Sequence, residues 1–255
     1  MEYATCRLAF TPNAQSLWRG NYRVRLRPPD ERSVQVASLP RDMQGSEYRA
    51  WVRGAVNPGH DPLVVFGSGV LGLNPEAIGE LASWLQLDSV GLVTGKILHA
   101  DGRLLHGGMT LRRDGTPLFL FEGFPGDEPG YMAVTSIVRN VSVVHPCCFA
   151  IRRDVWTALG GLDAEFTSGY GVLDLALRTG QRGWRCAFNP FAKFVARSDW
   201  PPGEVFSEQD RQIFRIRWRQ WLERGDPCYH PALSQQHYDM RLGGAMPYSH
   251  RVFLR

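Results

Sequence analysis

The sequence predicts an α/β fold. Short runs rich in Val, Leu and Phe alternate with stretches whose apolar residues recur at helical spacing. Gly 27 and Pro 17 supply many turns, which argues against a helical bundle. At 255 residues, 44% hydrophobic and 21% charged, the chain suffices for one substantial domain with a buried core.

The elements follow in order. Residues 4–10, 22–27 and 33–38 read as short strands. Residues 45–56 read as a helix with Tyr48, Trp51, Val52 and Ala55 along one face. Pro62 to Phe66 reads as a buried strand running into the turn Gly67-Ser68-Gly69. Asn74-Pro75-Glu76 then starts a helix: Asn caps, Pro opens the first turn, and the acid sits at the positive dipole end. Val90 to Leu98 is a strand, and Ala100-Asp101-Gly102 signals a hairpin turn. Val141 to Ile151 reads as one long apolar strand region, Gly171 to Gly183 as a helix and Trp184 to Phe188 as a strand. A helix from about Ser207 to Arg224, closed by Gly225, precedes an extended tail punctuated by proline.

Composition narrows the function classes. A net charge of +4 is too small and too scattered to indicate nucleic acid. Of 29 basic residues only Lys96 and Lys193 are lysine. That bias fits either an anionic ligand gripped by Arg or an arginine-favouring genome. No apolar run approaches the roughly 20 residues that span a bilayer. Met1 to Phe10 lacks the layout of a signal peptide. The five cysteines have no framework spacing, and adjacent Cys147 and Cys148 read as buried thiols. A cytoplasmic location is therefore expected. Neither a Cys-x-x-Cys pair nor a His-Glu-x-x-His motif occurs, so no structural zinc site is expected.

From Pro62 onward the order of phrases resembles the family 2 glycosyltransferases, which have the GT-A fold. The phrases are Val90 to Gly102, His106-Gly107-Gly108, Gly130-Tyr131, Arg139 to Ser142, Phe149 to Val155, Gly160 to Asp163, Asp174 to Arg178, Arg182-Gly183-Trp184, Asn189 to Ala192 and Asp226 to Pro231. Their order over most of the chain is more specific than any one of them. The first 60 residues match less: Asn13 stands where the first strand of the family ends, and Asp30 where its base-holding second strand ends. The resemblance implies one GT-A-like domain, a three-layer α/β/α sandwich with a mostly parallel central sheet. Residues 1–60 would form a worn nucleotide-binding half, 61–205 the donor and acceptor half, and 206–255 a C-terminal helix with an extended tail.

Inverting sugar transfer needs charge to stabilise the departing diphosphate, a base to take the acceptor's proton, and a pocket to hold the donor in line. The family places an Asp-x-Asp after the metal-site strand; here Gly67-Ser68-Gly69 stands there, either simply a tight turn or one whose backbone N–H groups face a phosphate. The family's base position holds Val172. The acid that follows, Asp174, reads as a weak substitute base or, four residues before Arg178, as its ion-pair partner. Where the family often has a metal-contacting His pair this chain has Arg197, a substitute positive charge or a surface partner of Asp199. His106 borders the cleft of the resembled fold and is either a site residue or a structural one.

Two functions from different classes follow. The chain is a degenerate glycosyltransferase acting as a binding or assembly subunit, or an active, metal-independent transferase moving sugar from a nucleotide-sugar to a glycan or lipid-linked acceptor. Neither Mg²⁺ nor Mn²⁺ is expected, and a UDP- or GDP-sugar is the expected ligand. The nucleotide-sugar candidates are Asn13, Asp30, Gly67, Ser68, Gly69, His106 and Arg197. The aromatic, arginine-rich helix 206–224 can pack on the domain, receive a protein partner or lie on an anionic membrane.

Overall fold

A computed structural model describes residues 70–73, 76–196 and 205–243, together with the strand backbones at 8–9, 23–24, 35–39 and 63–67. The helix expected over 45–56, the start Asn74-Pro75 and the tail beyond 243 lie outside the described residues.

Two short strands, β1 (Leu8–Ala9) and β2 (Arg23–Val24), pair with each other. The main sheet is built on β3 (Gln35–Leu39), parallel to β4 (Leu63–Gly67). After β5 (Val70–Gly72) comes helix α1 (Ala77–Ser83), continued by a 3-10 turn at Trp84–Gln86. β6 (Val90–Leu98) follows and folds back through the turn at Gly102, φ +86°, into β7 (Leu104–His106). β8 (Met109–Leu111) and β9 (Pro117–Phe119) form a separate hairpin. β10 (Arg139–Val141), β11 (Cys148–Ile151), α2 (Arg153–Leu159), α3 (Tyr170–Gln181) and β12 (Arg185–Ala196) complete the layers. Last come α4 (Glu208–Arg217) and α5 (Arg219–Arg224).

The sheet runs β10-β12-β6-β11-β4-β3, with β5 on β12 and β7 on β6. The α/β class stands, but the sheet is mixed rather than mostly parallel. β6 and β12 are parallel, as are β3 and β4, whereas β11 lies antiparallel between β4 and β6. A parallel neighbour needs a crossover, usually a helix, and no α-helix lies between β6 and β11 among the described residues. The apolar stretch 141–151 is likewise two strands. The chain leaves the flank of β12 at Val141 and enters the slot between β4 and β6 at Cys148.

Alternation along the strands divides the core. Leu92, Phe149, Ile151 and Phe188 face α3 and α4, which contribute Val172, Leu173, Leu175 and Phe214, with Trp218 just beyond α4. Val93, Ile97, Ala150 and Ala187 face α1, which contributes Ala77, Leu81 and Ala82. Helices therefore cover both faces. Gly95 is needed where β12 bulges toward β6: a Cβ there would lie 2.6 Å from the Ala192 carbonyl oxygen.

Two details differ from the sequence reading. The C-terminal helix breaks at Trp218 (φ −102°, ψ 17°), whose buried ring is tied down by a hydrogen bond. The residues after Gly225 are not extended but turn back on the domain. Tyr229, Leu233 and Met240 are buried against Leu104, Leu118 and Phe121, and the Tyr229 hydroxyl donates to the Ser234 carbonyl at 2.6 Å.

Candidate functional site

β3, β4, β6 and β12 all point the same way, since β11 is antiparallel to both β4 and β6. Their carboxyl ends therefore share one edge, where open α/β sheets bind ligands. Gly67 ends β4 opposite Leu39. β5 then pairs with the end of β12, Val70 opposite Ala196 and Gly72 opposite Phe194. Of the sequence-predicted candidates, Asn13, Asp30, Ser68, Gly69 and Arg197 lie outside the described residues. The pairing brings the residue after Gly69 opposite the residue before Arg197.

His106 ends β7 and is fully buried. It faces His145 at 4.9 Å between ring centroids, and Phe188 and Phe119 at 5.8 and 6.3 Å. Neither ring nitrogen of His106 has a hydrogen-bond partner among the described residues. Burial first, then His145 and Arg139, hold its pKa well below the ordinary histidine value. Burial alone lowers His145 to about 3. The His145 Nδ1 accepts from the Cys147 N–H at 3.2 Å, which leaves the ring proton on Nε2. Two neutral imidazoles thus lie in contact inside the core, 39 positions apart in the sequence.

Next to this pair the turn Gly107-Gly108 makes room for Arg139. Gly108 has φ +111°, and a Cβ on it would lie 1.9 Å from Arg139 Nη2. Arg139 donates from Nε to the Val134 carbonyl at 3.1 Å and stacks over Phe188 at 5.3 Å. Burial lowers its pKa to about 10, partly offset by Cys228 and Asp226. Asp226 in turn receives Thr110 Oγ1 at 2.7 Å, Ser142 Oγ at 2.5 Å and the Cys228 N–H at 2.8 Å. Cys147, Cys148 and Cys186 are buried free thiols, all raised in pKa by burial.

Asp174 is fully buried on α3. Its Oδ2 accepts from Arg178 Nε at 2.7 Å. Its Oδ1 accepts from Trp218 Nε1 at 2.9 Å and Arg217 Nη1 at 3.1 Å. Arg178 also reaches the Leu159 and Gly161 carbonyls, and Arg217 reaches Asp163 and Glu165. Asp174 therefore joins α2, α3 and α4. Val172 is fully buried and the first turn of α3 carries no acid.

A pair that the sequence reading passed over sits near the same edge. The irregularity of β12 after Asn189 brings Lys193 opposite Lys96, so the only two lysines of the chain are register partners. Lys96 is 3% exposed, and its Nζ donates to the Gly126 carbonyl at 3.1 Å. Burial, then Lys193, lowers its pKa to about 8, with Asp127 opposing. The Lys193 carbonyl accepts the Leu73 N–H at 2.9 Å, which ties this pair to the segment after β5. The signal was present in the composition, as the scarcity of lysine beside so much arginine.

On the outer helices, Phe214, Trp218 and Leu222 point into the core, while Ile216 is 80% exposed beside the exposed Arg215 and Arg219. Among the described residues no helix is long and apolar enough to cross a membrane, and no three His, Cys, Asp or Glu residues converge to hold a metal ion.

No family model matches the chain. Among curated proteins it is 27% identical over 220 residues to the uncharacterized protein y4gI of Sinorhizobium fredii, covering 83% of this chain and 24% of that one. It is 28% identical over 165 residues to the O-antigen biosynthesis protein RfbC of Myxococcus xanthus, covering 64% of this chain and 13% of that one. The chain thus spans about a quarter and an eighth of the length of these relatives. Among solved structures the chain is similar to glycosyltransferases of the GT-A type. One is the mannosyltransferase PcManGT of Pyrobaculum calidifontis in complex with GDP-Man and Mn²⁺ (14% identity, TM-score 0.34, covering 62% of this chain and 36% of that one). Another is GalNAc-T7 with UDP, GalNAc and Mn²⁺ (12% identity, TM-score 0.49, covering 69% and 36%). The expectation that Mg²⁺ and Mn²⁺ play no part is corrected by these structures, since both hold Mn²⁺. The described residues supply no donor set for that ion.

Proposed function

We propose that this chain is a GT-A-like glycosyltransferase domain that binds a nucleotide-sugar at the carboxyl edge of its sheet and serves polysaccharide assembly as a binding unit without transferring sugar itself. The observation that carries the non-transferring part is the state of α3. Val172 occupies the base position and is buried, and the nearest acid, Asp174, already accepts from Arg178, Arg217 and Trp218. Fully buried and already accepting from three donors, this carboxylate is not open to an acceptor hydroxyl. Loss of a general base typically costs about 10²–10⁴ in rate. The sugar-polymer context is supported by the likeness to an O-antigen biosynthesis protein.

Calorimetric titration with UDP and GDP, with and without Mn²⁺, tests the binding part, and radiolabelled sugar transfer tests the rest. Nucleotide binding without transfer or donor hydrolysis is the expected result. Mn²⁺-dependent binding accompanied by turnover would replace the binding unit with an active enzyme. No binding at millimolar nucleotide would remove the nucleotide-sugar from the proposal.

A further inference from the structure

The two lysines pose an electrostatic problem that the described residues answer only through the exposed Asp127, which attracts Lys96 without forming a salt bridge to it. Register partners on neighbouring strands lie about 5 Å apart at the backbone, and Lys193 stands opposite Lys96 in this way. Lys96 is buried, which removes the water that would screen it, and its one hydrogen-bond partner is the neutral Gly126 carbonyl. Neither lysine forms a salt bridge among the described residues, although arginines elsewhere pair repeatedly with Asp and Glu. Two positive charges on register-paired positions, one of them buried and opposed only by Asp127, make the space beside them favourable for an anion.

The choice of residue points the same way. With 29 basic residues and only Lys96 and Lys193 not arginine, a compact ammonium is used where the chain could have placed a guanidinium. A lysine ammonium is a point charge on a flexible stem that can close on a single oxyanion from one side. The pair also lies at the carboxyl ends of two parallel strands, and the Lys193 backbone is bonded to Leu73, just after β5.

We propose that Lys96 and Lys193 together receive a phosphate-class oxyanion, with Lys193 as the exposed arm and Lys96 as the buried one. The oxyanion belongs either to the diphosphate of a nucleotide-sugar or to a phosphate carried by the acceptor. Only that choice of owner rests on the nucleotide-sugar reading; the anion site does not.

Inorganic pyrophosphate, UDP and UMP titrated into the full chain and its Lys193→Gln, Lys193→Arg and Lys96→Met variants make the test. Pyrophosphate is expected to bind the parent chain and to weaken about tenfold or more in Lys193→Gln, with Lys193→Arg, which keeps the charge but not the compact ammonium, falling between the two. Lys193 is exposed, so its variants report even if Lys96→Met fails to fold. Loss for both pyrophosphate and UDP, with UMP unaffected, upholds the site and assigns it to the donor. Loss for pyrophosphate alone upholds it and assigns it to a phosphorylated acceptor. Parent-like pyrophosphate binding by Lys193→Gln, or no pyrophosphate binding by the parent chain at millimolar concentration, overturns the proposal. Pyrophosphate binding without any nucleotide binding would sink the nucleotide-sugar reading and leave this site standing.

Discussion

The indole Nε1 of Trp218 donates to Oδ1 of Asp174 at 2.9 Å, and both side chains are buried. That single bond joins α3 to the break between α4 and α5 and explains where the last helix bends. The oxygens of Asp174 are thereby committed to holding helices together.

Replacing Asp174 by Asn keeps the shape and removes the charge. Arg217 keeps Asp163 and Glu165, Arg178 keeps the Leu159 and Gly161 carbonyls, and both stay partly exposed (21% of the Arg178 and 29% of the Arg217 side chain), which limits the cost. A loss of about 2–4 kcal/mol is expected in urea unfolding. A loss below about 0.5 kcal/mol would show that the cluster does not carry the packing of α3 on α4.

Val172→Glu places a carboxyl where the family keeps its base, but at a fully buried position against the core. The expected outcome is destabilisation of several kcal/mol with no gain of sugar transfer. A folded, transferring variant would mean that α3 can shift its start to present a base.

Gly108→Ala combines a strained φ of +111° with a Cβ placed 1.9 Å from Arg139 Nη2. Arg139 is held by the Val134 carbonyl and the Phe188 ring and has little room to retreat. A cost of about 2 kcal/mol or more is expected, seen as a lower thermal midpoint. Arg139→Lys should lessen the clash in the double variant, and failure to do so would place the strain in the backbone alone.

The buried imidazoles set a pH dependence with a definite sign. Both His106 and His145 are held below their unfolded value of 6.5, His145 to about 3. The unfolded chain therefore binds more protons in acid, and the stability tied to these rings is present above pH 6.5 and is lost as pH falls toward 3. Each ring adds a slope of at most about 1.4 kcal/mol per pH unit. Denaturation curves from pH 7 to 4 should show this slope reduced in His145→Gln; an unchanged slope would assign the acid sensitivity to other groups.

Local sequence carried the elements whose cause is local. The apolar run Val90 to Leu98, the turn at Asp101-Gly102 and the Asp174–Arg178 ion pair all depend on neighbours within four positions or on a period along one strand, and each forms where the sequence places it. The direction of β11 was not legible in that way, because strand polarity depends on the route the chain takes between Leu98 and Cys148 and not on the composition of either strand.

By itself, then, the sequence determined an α/β chain with these periodicities and an order of phrases that resembles the family 2 glycosyltransferases. Tertiary structure alone decided what the remaining polar groups do. It set His106 against His145, gave Asp174 to Trp218 and Arg217, and brought Lys96 and Lys193 opposite each other although 97 positions separate them. The physical reason is that pairings between distant positions are fixed by strand register and helix packing, and one slip of register would turn His106, Lys96 or Lys193 to the other face.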